Sequence, residues 1–402
     1  MLIVQKFGGS SVADAEKINR VAGVIADTYR QGNDVVVVLS AQGDTTDDLL
    51  EKAAEINPNP SKRELDMLLS TGELISVSLM AMALEHMGLP AVSLTGWQAG
   101  VHTDSVYGSA KIRDVAVERI RRELDKRRIV LVAGFQGINK YDDITTLGRG
   151  GSDTSAVAIA AVLKADRCQI YTDVEGVYTA DPRKVDGAIK LDEITYDEML
   201  ELASLGAQVL HNRSVMMAQK YSIELEVLSS YVRKPGTIVK EVTKNVERMK
   251  ISGIAKDNDV VRIAVVGLKD APGNAFKVFK CLSNENIVVD IILQSFGKNN
   301  TNDISFTVAE SNRDAAVAVL EAAKESIGFD HVNVDPHVSK VSIVGAGMVT
   351  SAGIATSMFE ALYEANINIK MISTSEIKIS VLVAEDDADS AVRAIHDQFF
   401  RR

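Results

Sequence analysis

The chain has 402 residues, more than one compact core needs and enough for two or three domains. Hydrophobic residues make up 46% and charged residues 25%, a globular balance that excludes disorder, and the net charge of −11 disfavours nucleic acid as a partner. The reading finds no apolar run approaching the ~20 residues of a membrane span and no secretory leader in MLIVQKFGGSS, while Cys168 and Cys281 are too few for a disulfide framework and suit a reducing cytoplasm.

Over the first 240 residues, short β-branched runs predict strands at Leu2–Phe7, Val35–Leu39, Ala91–Leu94, Ile129–Ala133, Cys168–Thr172 and Leu225–Leu228. Helices are expected between them at Ala13–Tyr29, Arg63–His86, Lys111–Leu124, Thr154–Leu163 and Ser214–Tyr221. In the first, Ile18, Val21, Ala22 and Ile25 form one apolar stripe. Strands alternating with helices imply an α/β domain, a mainly parallel sheet sandwiched by helices, with ligands bound beyond the carboxyl ends of the strands. The polar stretch Arg233–Lys250, carrying Pro235-Gly236, reads as a domain boundary.

Beyond it lies an internal repeat. Gly273-Asn-Ala-Phe-Lys-Val-Phe-Lys-Cys-Leu-Ser-Asn-Glu-Asn-Ile aligns without gaps with Gly353-Ile-Ala-Thr-Ser-Met-Phe-Glu-Ala-Leu-Tyr-Glu-Ala-Asn-Ile. A strand precedes each copy (Ile263–Gly267, Val341–Gly345), and two strands and a helix follow (Val288–Leu293, Ile304–Val308, Ala315–Ala323; then Asn368–Ile372, Ile379–Val383, Ala388–Phe399). The pattern predicts two ferredoxin-like βαββαβ units. His331–Val334 completes the first, and Met249–Ala255 is placed to pair back into the second.

Several strand ends carry residues suited to chemistry. Lys6-Phe7-Gly8-Gly9-Ser10-Ser11 leads from a strand into a helix; it suits either an anion cradle charged by Lys6 or a plain tight turn with a serine cap. Gly148-Arg149-Gly150-Gly151-Ser152-Asp153 opens another helix, and its caps do not explain Arg149, whose fork suits a carboxylate or phosphate. Two such helix starts, one with lysine and one with arginine, fit two anionic substrates meeting head-on. Tyr171–Arg183 follows a strand and offers Thr172, Asp173, Tyr178, Asp181 and Arg183 to a nucleotide or to turns. Glu73 at a helix start serves the helix dipole or a substrate ammonium. The glycines around Gly345 and Gly347 imitate a dinucleotide fingerprint, but Thr350 stands where its third glycine belongs. The histidines show no metal-ligand spacing; His211 and Trp97 read as structural.

Taken together, Lys6–Ser11, Val35–Thr46, Ser70–Glu73, Gly148–Asp153 and Tyr171–Arg183 resemble the aspartokinases of the amino acid kinase superfamily, and the repeat resembles paired ACT domains. The resemblance covers the whole chain, departing from the common pattern at Leu74, where glutamine is usual, and Asn212, where proline is. It implies an amino acid kinase fold over residues 1–240, a first ACT unit over 249–336 that lends strand 249–255 to the second, and a second unit over 337–402. It further implies ATP-dependent phosphorylation of the L-aspartate side chain to 4-phospho-L-aspartate, opening lysine, threonine, methionine and diaminopimelate biosynthesis. The resemblance assigns Lys6, Arg149 and Asp153 to catalysis; Ser40, Thr46, Glu73, Arg149 and Ser152 to aspartate; and Lys6, Gly8, Gly9, Ser10, Thr172, Asp173, Tyr178, Asp181 and Arg183 to ATP. ATP with Mg2+ is then a co-substrate, with no resident metal and no tightly bound prosthetic group. Effector contacts are expected at Asp270, Gly273, Asn274, Ala275, Asp290 and Gln294, and at Ile354, Ala355, Asn368, Ile369 and Ser375. The implied partners are lysine or threonine as feedback effector and a second copy through the ACT units, in a dimer or higher oligomer. A short subunit started internally at Met249 is a further expectation, with no nucleic acid or membrane partner. The alternatives are a kinase acting on glutamate, acetylglutamate or a nucleotide, and an inactive amino-acid sensor.

Overall fold

The computed structural model describes residues 1–205, 209–243, 251–297, 301–348 and 353–401. Contacts divide the chain into two compact units, Met1–Tyr178 with Lys190–Ser204 and Gln208–Asn245, and Thr179–Ile189 with Leu205–Ala207 and Val246–Arg402. The division does not follow a single linear boundary, because Thr179–Ile189 belongs with the C-terminal chain.

The first unit is built on an eight-stranded sheet. Its order is Glu193–Thr195, Thr237–Lys240, Leu225–Ser229, Arg167–Thr172, Leu2–Phe7, Asp34–Leu39, Ile129–Ala133 and Ala91–Leu94. All neighbours are parallel except Leu225–Ser229 against Thr237–Lys240. The run Val35–Leu39 is wholly buried, as a strand covered on both faces must be. Phe7, Val35, Val37, Leu39 and Leu131 pack with the stripe Ile18, Val21, Ala22 and Ile25 of helix Ala15–Arg30 and with Val77, Met80 and Leu84 of helix Thr71–His86. Side chains alternate across a strand, so Lys6, next to Phe7, faces the other side, toward helix Gly151–Leu163. The opening strand lies centrally, and Lys6 sits opposite Val38 and Ile170 near its carboxyl end.

Several expectations are corrected. Arg63–His86 is two helices, Lys62–Leu69 and Thr71–His86, where the Ser70 and Thr71 hydroxyls donate to the Met67 and Leu68 carbonyls at 2.8 and 2.7 Å and disturb the turn. Taken together, Lys62–His86 is long and apolar enough by length and composition alone to cross a bilayer, but half of its most apolar window is buried inside the protein, as in a core helix. Lys111–Leu124 is a strand, Ile112–Val115, followed by helix Glu118–Leu124. That strand joins Val101–Thr103, Gln136–Ile138 and Ile144–Thr146 in a small sheet whose members are too short to display alternation. Helix Thr45–Ile56, which buries no side chain fully, also escaped the reading. Trp97 is exposed, not packed.

The second unit contains two four-stranded sheets. The first, ordered Ile292–Phe296, Thr301–Val308, Val261–Lys269 and His331–Asp335, carries helices Asn274–Asn284 and Arg313–Ile327 over the core of Ile263, Val265, Leu282, Phe306 and Leu320. The second is ordered Gly253–Asp257, Val338–Val344, Lys378–Ala384 and Met371–Thr374, and Gly253 pairs antiparallel with Val344. The two repeat helices, Asn274–Asn284 and Ile354–Glu364, both start after a glycine in the left-handed region, Gly273 at φ 92° and Gly353 at φ 95°. Strands expected at Val288–Leu293 and Asn368–Ile372 lie later, at Ile292–Phe296 and Met371–Thr374. The apolar signal came from buried Ile287 and Ile291 ahead of the first, whereas Ile292–Phe296 is an exposed edge. Met249 and Thr350 lie outside the described residues.

Leu131 is fully buried on Ile129–Ala133, the strand next to the edge strand Ala91–Leu94 of the large sheet. Leu131→Ala is expected to cost about 2–5 kcal/mol, read as a lower midpoint in urea with an unchanged slope.

Candidate active site

Lys6 Nζ lies 2.7 Å from Asp153 Oδ1, with only 13% and 11% of the two side chains exposed. The opening strand supplies the amine; the first turn of helix Gly151–Leu163 supplies the carboxylate. A buried charge without a partner is costly, so each side chain fixes the other. After Lys6 the chain turns tightly, with Ser11 N donating to Gly8 O at 3.0 Å and Val12 N to Gly9 O at 3.1 Å. A Cβ on Gly9 would meet Ala41 O at 2.6 Å, so only glycine allows this turn to close on the next strand's loop. A Cβ on Gly8 would come to 3.5 Å from Lys6 Nζ, which places that backbone beside the amine.

The second glycine loop has a shape only glycine can hold. Gly150 stands at φ 66° with the His211 ring filling the space its Cβ would take, 2.2 Å away. Gly151 N donates to Gly148 O at 3.0 Å, after which the helix begins with Ser152 and Asp153 buried. Arg149 is exposed and has no protein partner among the described residues. Its guanidinium is therefore free to take an anion next to the open N–H groups of a helix start.

Glu73 is 3% exposed in the first turn of Thr71–His86. Ala41 N donates to its Oε1 at 3.1 Å, and Oε2 has no hydrogen-bond partner among the described residues. Burial pushes its carboxyl up to about 8. A dipole-stabilising glutamate would sit in water, so this geometry favours a group waiting for a cationic partner. Ser40 and Thr46 are both partly buried, Ser40 N donating to Phe7 O at 3.2 Å and Thr46 lying in the first turn of Thr45–Ile56.

The nucleotide candidates divide. Ser10 is exposed at the first turn, and Thr172 donates to Asp173 Oδ1 at 2.9 Å at the end of its strand. Tyr178 makes an isolated bridge to Lys190. Asp181 and Arg183 form a two-bonded ion pair at 3.0 Å, and both belong to the second compact unit.

Among the effector candidates, Gly273, Asn274 and Ala275 open a helix, and Asp270 accepts from Asn302 Nδ2 at 2.9 Å. Gln294 lies on the exposed edge strand. The Asp290 carboxylate is engaged by Lys340 at 2.5 Å, and Ile354 is buried in its unit's core. Ala355 is half-buried at its helix start, Asn368 is exposed, Ile369 packs against the core, and Ser375 N donates to Lys378 O at 2.8 Å.

Arg213 was not among the residues singled out from the sequence. It donates to Leu147 O at 2.5 Å and Ala110 O at 3.0 Å, behind the second glycine loop. His211, expected to be structural, caps the following helix by accepting from Arg213 N at 3.3 Å. The acceptors of the Arg213 guanidinium are distant in sequence, so no local signal pointed to it.

Comparisons with known proteins show the family and the fold. A family model described as the amino acid kinase family matches residues 1–229, and one described as an ACT domain matches 263–323 and 341–399. An aspartokinase of Mycolicibacterium smegmatis is 52% identical over 99% of this chain and 96% of its own. The crystal structure of E. coli aspartokinase III with aspartate and ADP, in the R-state, superposes with a TM-score of 0.84 at 27% identity, covering all of both chains. The same enzyme with lysine and aspartate, in the T-state, gives 0.78 at 27% identity, again covering all of both chains.

The raised Glu73 carboxyl has a signed consequence. Its unfolded value is near 4.5 and its folded value about 8, so the folded protein holds the extra proton between them. Stability from this group is complete below the unfolded value and is lost as pH rises through the folded one. Glu73→Gln should flatten the fall in melting temperature of the ligand-free protein between pH 5 and 8.5, about the window these values set. An unchanged slope would count against the buried carboxyl.

Proposed function

This chain belongs to the aspartokinases of the amino acid kinase family, and from that premise we propose that it transfers the γ-phosphoryl group of ATP to the side-chain carboxylate of L-aspartate, giving 4-phospho-L-aspartate. The observation that carries the reading is the Lys6–Asp153 pair at 2.7 Å, set where a glycine turn and a helix start come together. Two negative charges about 4 Å apart repel by about 4 kcal/mol at an effective dielectric of about 20. Phosphoryl transfer between two anions therefore needs positive charge and positioning more than covalent help.

Lys6 supplies that charge to the transferring phosphoryl group, with the Gly8, Gly9 and Ser10 backbone around it. Asp153 holds the amine in place until the nucleotide arrives. Arg149 grips an aspartate carboxylate, with Ser152, Ser40 and Thr46 beside it, while Glu73 takes the ammonium. That pairing draws the proton off Glu73, because a cation at its free oxygen favours the charged form. Thr172, Asp173, Tyr178, Asp181 and Arg183 are the residues assigned to the rest of ATP. Magnesium belongs to the substrate as MgATP and neutralises phosphate charge. The E. coli complex with aspartate and ADP supports both substrates.

The repeated ACT units serve feedback. We read residues 249–336 as the first, with strand Gly253–Asp257 lent to the second over 337–402, and the product amino acids lysine and threonine as candidate effectors. The lysine complex of the E. coli enzyme supports that class of ligand. The exposed apolar edge Ile292–Phe296 supports pairing with a second copy, since such an edge is otherwise an aggregation hazard. We place the enzyme in the cytoplasm, at the entry to lysine, threonine, methionine and diaminopimelate synthesis.

Lys6→Ala should lower kcat by about 10²–10³-fold, in the range seen on removing one charge-stabilising donor, and should also lower the unfolding midpoint, because it leaves the Asp153 carboxylate buried without its counter-ion. Wild-type turnover would refute the assignment. With purified enzyme, lysine and threonine titrated singly and together against initial rate should lower activity with at least one of them; full activity under all three conditions would remove the feedback reading.

A further inference from the structure

Strand Ile144–Thr146 runs directly into Leu147-Gly148-Arg149, so the direction in which Arg149 leaves the fold depends on how that strand is held. Two charged side chains from different helices hold it. Asp66, 1% exposed on helix Lys62–Leu69, uses both carboxylate oxygens. They accept from Thr146 N at 2.9 Å, from Thr146 Oγ1 at 2.7 Å, and from Gly108 N at 3.0 and 2.9 Å. Arg213, at the start of Asn212–Tyr221, donates to Leu147 O at 2.5 Å and Ala110 O at 3.0 Å. Backbone bonds close the frame, Ala110 N donating to Thr146 O at 2.9 Å and Leu147 N to Phe135 O at 2.8 Å. Both charges thus grip the two residues immediately before the glycine loop, and both also grip the segment Gly108–Ala110.

We propose that Asp66 and Arg213 are positioning residues for the acceptor side of the reaction: acting through Thr146 and Leu147, they aim Arg149. A buried carboxylate and a fork of donors are poor choices for packing alone, since apolar groups of the same size would avoid the desolvation cost. What they add is direction, because charge-assisted bonds to fixed backbone atoms tolerate little displacement. The glycine turn after Lys6 has a separate set of partners, Gly43 N donating to Gly9 O at 3.0 Å and Ser11 Oγ donating to Ser230 Oγ at 2.8 Å. Loosening Asp66 or Arg213 therefore disturbs the aspartate grip and spares the nucleotide. The inference rests on the reading of Arg149 as that grip.

The test is a split between the two Michaelis constants. Thr146→Val removes only the hydroxyl that Asp66 accepts from, and it should raise the aspartate KM about tenfold while leaving the ATP KM within about twofold; Thr146→Ser should restore both. Arg213→Lys, on a half-buried side chain, should reproduce the split if Thr146→Val fails to fold. Two results overturn the proposal: an aspartate KM that stays at the wild-type value while Arg149→Ala raises it, or both constants rising together in Thr146→Val and Arg213→Lys. If Arg149→Ala itself leaves the aspartate KM unchanged, the reading of Arg149 fails, and the proposal with it.

Discussion

A lysine pointing off the middle strand of a sheet covered on both faces cannot keep its charge out of water unaided. Here Asp153 provides the counter-ion, and much of the first unit follows from the need to bring the two together. Lys6 must leave the sheet near a strand end, where Gly8 and Gly9 let the chain turn away at once. Asp153 must sit in the first turn of its helix, so a loop with two left-handed glycines, Gly148 and Gly150, delivers that turn to the carboxyl end of the opening strand. Arg149, in the same loop, is thereby committed to the same side of the molecule. One electrostatic requirement brings the two glycine loops together.

Much of this was legible in the sequence, because long buried strands and glycine loops are local signals. Val35–Leu39 and Ile129–Ala133 are wholly apolar and stand where periodicity put them. The gapless repeat fixed two helices to matching starts at Asn274 and Ile354. What escaped was set by partners distant in the chain. Ile112–Val115 reads as helix until Val101–Thr103 pairs with it, and Asp66 is an unremarkable acid until Thr146 and Gly108 close on it. Lys6 and Arg149 were singled out from residue type and glycine context, while nothing local pointed to Arg213, whose acceptors are main-chain carbonyls.

The C-terminal unit answers a different problem. Each ferredoxin-like half has a small core, and the second completes its sheet with Gly253–Asp257, a strand that precedes the first half in sequence. Val260 and Ile291 pack with Val338, Met371 and Leu382, and Lys340 bonds both Asp257 and Asp290, so the halves share one set of contacts. Ala180 and Val185 join the second half's core, and Thr179 bonds buried His396 at 2.9 Å. The segment that follows Tyr178 is thus built into the C-terminal unit.

The central claim is that one amine and one guanidinium take the donor and the acceptor of a single transfer. A structure with magnesium, ADP, aluminium fluoride and L-aspartate tests it most directly. The account predicts the fluoride group within about 3 Å of Lys6 Nζ and an aspartate carboxylate within the same hydrogen-bond reach of Arg149. A fluoride group seated away from Lys6, or aspartate bound without Arg149, contradicts it.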